Sequence, residues 1–240
     1  MENNLTSDIK KSDKPSTCIP VSLEFYGLPG CGKSTISHLV AKKLREQGYA
    51  VNELTYILDH KYPPNIRRFI KLFLSFIYSF IDNKSFCKIL HIIGKSKKRI
   101  YINEIVNIMP KCWGYGNSKK YDFLIWDEGL IQSAVSSSLD DMPEEGGIIS
   151  KEILKVASDK CKVIGVFLDF PIELVEERMI KRNTKDSRAD RLQGEERTLF
   201  LKKFQKCLSL LDQHYIHITD YKKNLNEISQ MIVQYIIDNK

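Results

Sequence analysis

Gly27-Leu28-Pro29-Gly30-Cys31-Gly32-Lys33-Ser34-Thr35 decides the reading of this chain. The stretch fits G-x-x-x-x-G-K-[ST] at every fixed position, directly after an apolar run, Val21 to Tyr26, and directly before an amphipathic one. Gly27, Gly30 and Gly32 permit backbone conformations that turn successive N–H groups inward around anionic oxygens, with Pro29 and Cys31 filling variable positions of the same cradle. Lys33 supplies a point charge for the β- and γ-phosphates and Ser34 a hydroxyl for Mg2+. Thr35 lies in the first turn of a helix whose positive end faces the phosphates. A merely structural turn needs the glycines but neither the lysine nor the hydroxyl after them. ATP with Mg2+ is therefore the expected ligand, and GTP fits the loop equally well.

Outward from the loop, Ile36, Leu39, Val40 and Leu44 recur at helical spacing, and Gly48 supplies a stop. Ala50 to Leu54 reads as a second strand, so the chain begins as a βαβ unit. From Pro63 to Pro110 a long helical pattern follows. Its apolar part, Phe69 to Ile81, is shorter than the roughly 20 residues of a membrane span and is interrupted by Lys71. The plain reading is a buried helix. The sharper ones are an apolar wall for an acceptor pocket or a peripheral membrane contact, with Arg67, Arg68, Lys71, Lys95, Lys97, Lys98 and Arg99 beside it. Tyr121 to Trp126 predicts a third strand ending in Asp127-Glu128-Gly129, acidic residues at the edge where open α/β sheets bind ligands. Leu139 to Gly147 reads as a solvated loop. Val163 to Leu168 predicts a fourth strand, with Pro171 opening a helix that runs to about Arg182. The basic segment Lys185 to Arg191, a helix from about Glu195 to Gln213, a short strand Tyr215 to Ile218 and a helix Leu225 to Ile237 complete the pass.

A chain of 240 residues, 42% hydrophobic and 28% charged, supports one sizeable α/β core, read as a single domain over 18–240 behind a polar, mobile leader at 1–17. The leader lacks the apolar centre of a secretory signal. The net charge of +7 suits an anionic ligand, but no basic stripe interleaves with aromatics, so nucleic acid is not an expected partner. Cys18, Cys31, Cys87, Cys112, Cys161 and Cys207 are scattered and form no C-x-x-C pair, which fits free thiols in a reducing cytoplasm. A small-molecule phosphoryl acceptor is the expected partner, and a homodimer stays open.

With the loop, the acidic strand end and the basic segment in place, the chain resembles the thymidylate kinase-like branch of the P-loop nucleotide kinases, from about Val21 to Tyr235 and least between Tyr56 and Lys120. The specific part is Phe167-Leu168-Asp169-Phe170-Pro171 through Glu177-Arg178, Arg182 and Asp190-Arg191. The resemblance implies a three-layer α/β fold: a five-stranded parallel sheet with helices on both faces, a helical acceptor-side region at about 60–112 and a lid at about 183–192. It also implies that Arg188 and Arg191 close over the phosphates and that Arg178 or Arg182 lies near the nucleotide. Phosphoryl transfer is mostly positioning plus electrostatics, which such arginines serve. A solvated basic loop is the alternative.

Three departures bear on the acceptor. These kinases carry Asp-Arg where this chain has Asp127-Glu128, an Arg-Glu-Pro-like triplet near the position of Asn52-Glu53-Leu54, and an acidic residue where Tyr26 precedes the loop. A carboxylate beside an anionic acceptor is unfavourable unless cations offset it, which points to an uncharged hydroxyl. Asp127 would then orient Mg2+ or its water, and Glu128 would take the hydroxyl proton as general base. The related deoxynucleoside kinases use a glutamate near this strand end in the same way. Glu128 also fits activation of water in a partner-driven ATPase or switch, or a carboxylate stabilising the start of the next helix. Nucleosides, nucleoside monophosphates and sugar-type hydroxyl compounds all remain open as acceptors.

Overall fold

Val21–Gly27 (β1) is buried along its whole length, so that Ser22 and Glu24, which alternate with Val21, Leu23 and Phe25, lie inside the fold as well. The computed structural model describes residues 21–95, 108, 111, 121–139, 143–158, 162–183, 187–211 and 216–239. After β1 come Lys33–Glu46 (α1), Val51–Asn52 (β2), Leu54–Lys61 (α2), Pro64–Ile81 (α3), Asn83–Lys95 (α4) and Phe123–Trp126 (β3). Leu130–Ser138 (α5), Pro143–Ser158 (α6), Lys162–Leu168 (β4), Ile172–Arg182 (α7), Arg188–Arg191 (α8), Gly194–Ser209 (α9), Ile216–Ile218 (β5) and Leu225–Asp238 (α10) follow. All strand pairings are parallel, in the order β2-β3-β1-β4-β5. Helices α1 and α10 pack together over the sheet, as do α5 and α6, giving the three-layer α/β fold with helices on both faces.

This order places the loop. β1 lies between β3 and β4, so the chain leaves its carboxyl end where the connections diverge to opposite sides, the crevice in which open α/β sheets bind ligands. The spacing of Ile36, Val40, Ala41 and Leu44 becomes the buried face of α1. Tyr26 serves the sheet: its ring stacks on Phe167 at 5.2 Å, and Phe167 stacks on His217 at 5.1 Å, one aromatic row across neighbouring strands.

Three sequence expectations change. The second strand is only Val51–Asn52, because Glu53 turns inward, 3% exposed, to meet Arg45 at 2.5 Å and His38 at 3.1 Å, and α2 starts at Leu54. The expected loop at Leu139 to Gly147 is helical from Pro143 onward. Glu144 and Glu145 suit the positive end of α6, and the bare Gly147 lets Leu210 approach, since a Cβ there would sit 3.3 Å from that side chain. The apolar stretch of α3 is not buried: Phe69, Phe73, Phe76 and Phe80 are 54–72% exposed, while Ser75 on the inner side is 5% exposed.

Among the described residues Cys31 and Cys207 are buried and Cys87 is exposed, and none of the three is in a disulfide. The leader, Lys97, Lys98, Arg99, Lys185, Asp186, Gln213, Tyr215, Cys18, Cys112 and Cys161 lie outside the described residues. Among the described residues no helix is long and apolar enough to cross a membrane.

Candidate active site

The loop has the geometry its glycines predict. Gly27, at φ 153°, runs so close to β4 that a Cβ would come within 2.5 Å of the Leu168 carbonyl. Gly32, at φ 100°, has open space around it, so its role is conformational: it turns the chain into the first turn of α1. Lys33, 6% exposed, folds across the loop and donates to the carbonyls of Gly27 at 3.2 Å and Leu28 at 3.0 Å. The Gly27 N–H donates to Gln132 Oε1 at 3.2 Å, tying the loop to α5.

Two cavities flank this lysine. One, of about 280 Å³, is walled by Gly30, Gly32, Ser34 and Thr35 and by Arg178 and Arg182 of α7. The other, of about 300 Å³, is walled by Thr55, Lys71, Lys111, Ser133, Arg188 and Phe200. Pro29, Lys33, Glu128 and Ser187 line both. Lys33 and Glu128 therefore stand where the two spaces adjoin.

Sequence reasoning missed Glu24 and Lys111. Glu24 points from β1 to the start of α5, where its carboxylate accepts the N–H groups of Leu130 at 2.9 Å and Ile131 at 2.6 Å. Gly129 permits this approach, since a Cβ there would lie 2.5 Å from Glu24 Cδ. A single charged residue inside an apolar strand was the available signal. Glu24 satisfies the helix start, leaving Glu128, which is exposed, to face the cavities. Lys111, 5% exposed, donates to the Gly129 carbonyl at 3.3 Å and to Ser133 Oγ.

Burial pushes the Glu24 carboxyl from its ordinary 4.5 up to about 7, outweighing the two N–H bonds and the charge of Lys111. Glu24→Gln replaces one acceptor oxygen with an amide donor facing an N–H, and should cost about 1–3 kcal/mol of stability. The folded state holds its proton up to about pH 7 while the unfolded chain releases it near 4.5, so this group's contribution is full below about 4.5 and lost as pH rises through about 7. The melting-temperature gap between wild type and Glu24→Gln should therefore narrow across that window. A gap that stays constant from about pH 5 to about pH 8 would return the carboxyl to its ordinary value.

The remaining sequence candidates divide. Arg178 spans to the loop, donating to the Cys31 carbonyl at 3.3 Å with its guanidinium 5.5 Å from the Phe170 ring. Arg182 grips both oxygens of Asp190 at 2.7 and 2.8 Å. Burial would raise the Asp190 carboxyl, but hydrogen bonds from Ser187 and Arg182 outweigh it and hold it below its ordinary value. Ser187 and Asp190 cap each other at the start of α8, which holds Arg188 5.4 Å over the Phe200 ring. Arg188 lines the larger cavity, whereas Arg191 lines neither.

Asp127 is 4% exposed and its Oδ1 has no hydrogen-bond partner among the described residues. An orphaned carboxylate oxygen at this strand end, with the Ser34 hydroxyl on the loop, fits Mg2+, which takes one or two protein oxygens plus phosphates and water. Among the described residues no cluster of three or more His, Cys, Asp or Glu forms a denser metal site.

No protein-family model matches the chain, and no curated protein matches it in sequence. Solved structures do match in overall shape. The APS kinase of Mycobacterium tuberculosis, solved with AMPPNP and APS, is 12% identical with a TM-score of 0.46, over 91% of this chain and 98% of that one. The YorR protein of Bacillus subtilis, solved with phosphorylated GDP, is 13% identical with a TM-score of 0.49, over 90% and 95%. A deoxyadenosine kinase of M. mycoides is 16% identical with a TM-score of 0.48, over 91% and 100%. At such identities the chemistry of this chain is read from its own side chains.

Proposed function

We propose that this chain is a P-loop kinase that moves the γ-phosphoryl group of ATP to a hydroxyl of a small acceptor. The observation that carries the reading is the pair of cavities adjoining at Lys33 and Glu128. A triphosphate on the loop and an acceptor in the larger space would face each other across those two side chains. Loop N–H groups and Lys33 hold the β- and γ-phosphates, and Arg178 and Arg182 add charge on the donor side. Ser34 and Asp127 would hold Mg2+, whose positive charge would offset that of the phosphates. Glu128 takes the acceptor proton as the acceptor oxygen bonds to the γ-phosphorus; the bond from that phosphorus to the β-bridging oxygen breaks and ADP leaves with the electron pair. Arg188 approaches from the acceptor side, which suits neutralisation of the transferring group. The likeness to thymidylate kinase-like enzymes in the Phe167 to Arg191 block agrees with this reading without naming the acceptor.

The test is ADP formation from Mg-ATP by the purified protein, alone and with nucleosides, nucleoside monophosphates and sugars. A rate raised by one acceptor class supports the kinase. Hydrolysis at one rate whatever is added replaces it with a partner-driven ATPase.

The outward phenylalanines of α3 favour a second property. Phe69, Phe73, Phe76 and Phe80 form an exposed apolar stripe on a helical hairpin that also carries Arg67, Arg68, Lys84 and Lys88, the composition of a helix lying on an anionic membrane. The free thiols agree with work at a cytoplasmic face. The protein should sediment with anionic liposomes at low salt and release as salt is added. Self-association by ultracentrifugation with no lipid binding would assign the stripe to a homodimer.

A further inference from the structure

The departures at Asp127-Glu128 pointed to an uncharged acceptor, and the walls of the larger cavity point the other way. Besides Lys33 it is lined by three cationic side chains, Lys71, Lys111 and Arg188, against one carboxylate, Glu128. Lys111 uses two of its three N–H donors, on Gly129 and Ser133, and has no further acceptor among the described residues. Burial pushes its ammonium down to about 8, with Glu128 opposing, so it is still charged at neutral pH. Thr55 lines the same space, is 6% exposed, and its Oγ1 has no hydrogen-bond partner among the described residues. A buried hydroxyl without a partner costs stability, and it lies in a wall rich in cations. An acceptor-rich anion satisfies the hydroxyl and the charges together.

We propose that the larger cavity holds a subsite for a phosphate-type anion, formed by Lys111 and the Thr55 hydroxyl with Lys71 and Arg188 as supporting charge. The acceptor is then an alcohol that already bears a phosphate-type group: the anion rests on Lys111 and the free hydroxyl is presented to Glu128. The assignment of the hydroxyl rests on the kinase reading, whereas the anion subsite does not. The cations on this wall are the offset that a carboxylate needs beside an anionic substrate.

The experiment is calorimetric titration of inorganic phosphate into protein saturated with Mg2+ and a non-hydrolysable ATP analogue, so that the loop is filled. Wild type should bind phosphate, Lys111→Met should weaken it by about 10-fold or more, and Lys111→Arg should restore most of it. Thr55→Val keeps the shape and removes only the orphaned hydroxyl. It should weaken phosphate by about 3-fold or more while the melting temperature holds or rises, an outcome that a purely structural role would not produce. If Lys111→Met fails to fold, Thr55→Val decides. No phosphate binding by wild type, or undiminished binding by the folded variants, overturns the subsite. In turnover, phosphate monoesters with a free hydroxyl should exceed the parent alcohols in kcat/KM by about 10-fold or more. Equal use of the neutral alcohols removes the subsite and leaves the kinase standing. Loss of all acceptor-dependent turnover removes the kinase, while the phosphate titration still reads the subsite.

Discussion

Replacing Lys33 by alanine is expected to lower phosphoryl transfer by about 10³-fold or more, the largest effect of any single substitution in this chain, with the melting temperature shifted by only a few degrees. The ammonium is buried against the loop, and its partners are the Gly27 and Leu28 carbonyls. Transfer spreads negative charge over the oxygens of the γ-phosphoryl group, and Lys33 is the cation that stands on the loop whose N–H groups would hold it. Removing the side chain removes the cation that sits on the loop itself, whereas Arg178 and Arg182 line the same space from α7 and do not reach the Gly27 and Leu28 carbonyls in its place. The fold should survive, since Ile36, Val40, Ala41 and Leu44 keep α1 on the sheet. The check is ADP formation beside a thermal melt. A variant that stays folded and keeps near-wild-type turnover would contradict the assignment of the donor site.

Glu128→Gln should lower kcat by about 10²-fold or more, with the KM for ATP little changed, because general-base catalysis is typically worth that much. The change is nearly isosteric and the position is exposed, so stability should hardly move. Had Glu128 been the stabiliser of α5, the variant would lose stability instead, but Leu130 and Ile131 are already bound by Glu24. The pair of substitutions separates the roles: Glu24→Gln acts on melting and Glu128→Gln on turnover. Equal turnover by Glu128→Gln and wild type, with the best acceptor found, would leave proton removal to solvent.

The two sides of the site differ in how far they could be read from the chain. The phosphate loop was legible because its parts are contiguous: glycines at positive φ, a lysine and a hydroxyl act through local backbone geometry, and the strand before and helix after follow from apolar runs of matching period. Glu24 and Lys111 were not legible, because a charged residue in an apolar run, or a lone lysine between Pro110 and Cys112, shows no partner in sequence. The helix from Pro143 was misread for a related reason. Its paired glycines look like a loop until Leu210 is seen packed against one of them.

The sequence by itself determined the βαβ start, the nucleotide-type loop and the acidic strand end, each a feature of neighbouring residues obeying local stereochemistry. Only the tertiary structure decided what meets them. Thr55, Lys71, Lys111, Ser133 and Arg188 are far apart in the chain and share one cavity, while the phenylalanines of α3 face outward although their composition suits a core. Which face of a helix is buried, and which distant charges converge, depends on how the layers stack over the sheet. Periodicity limits that stacking without choosing it.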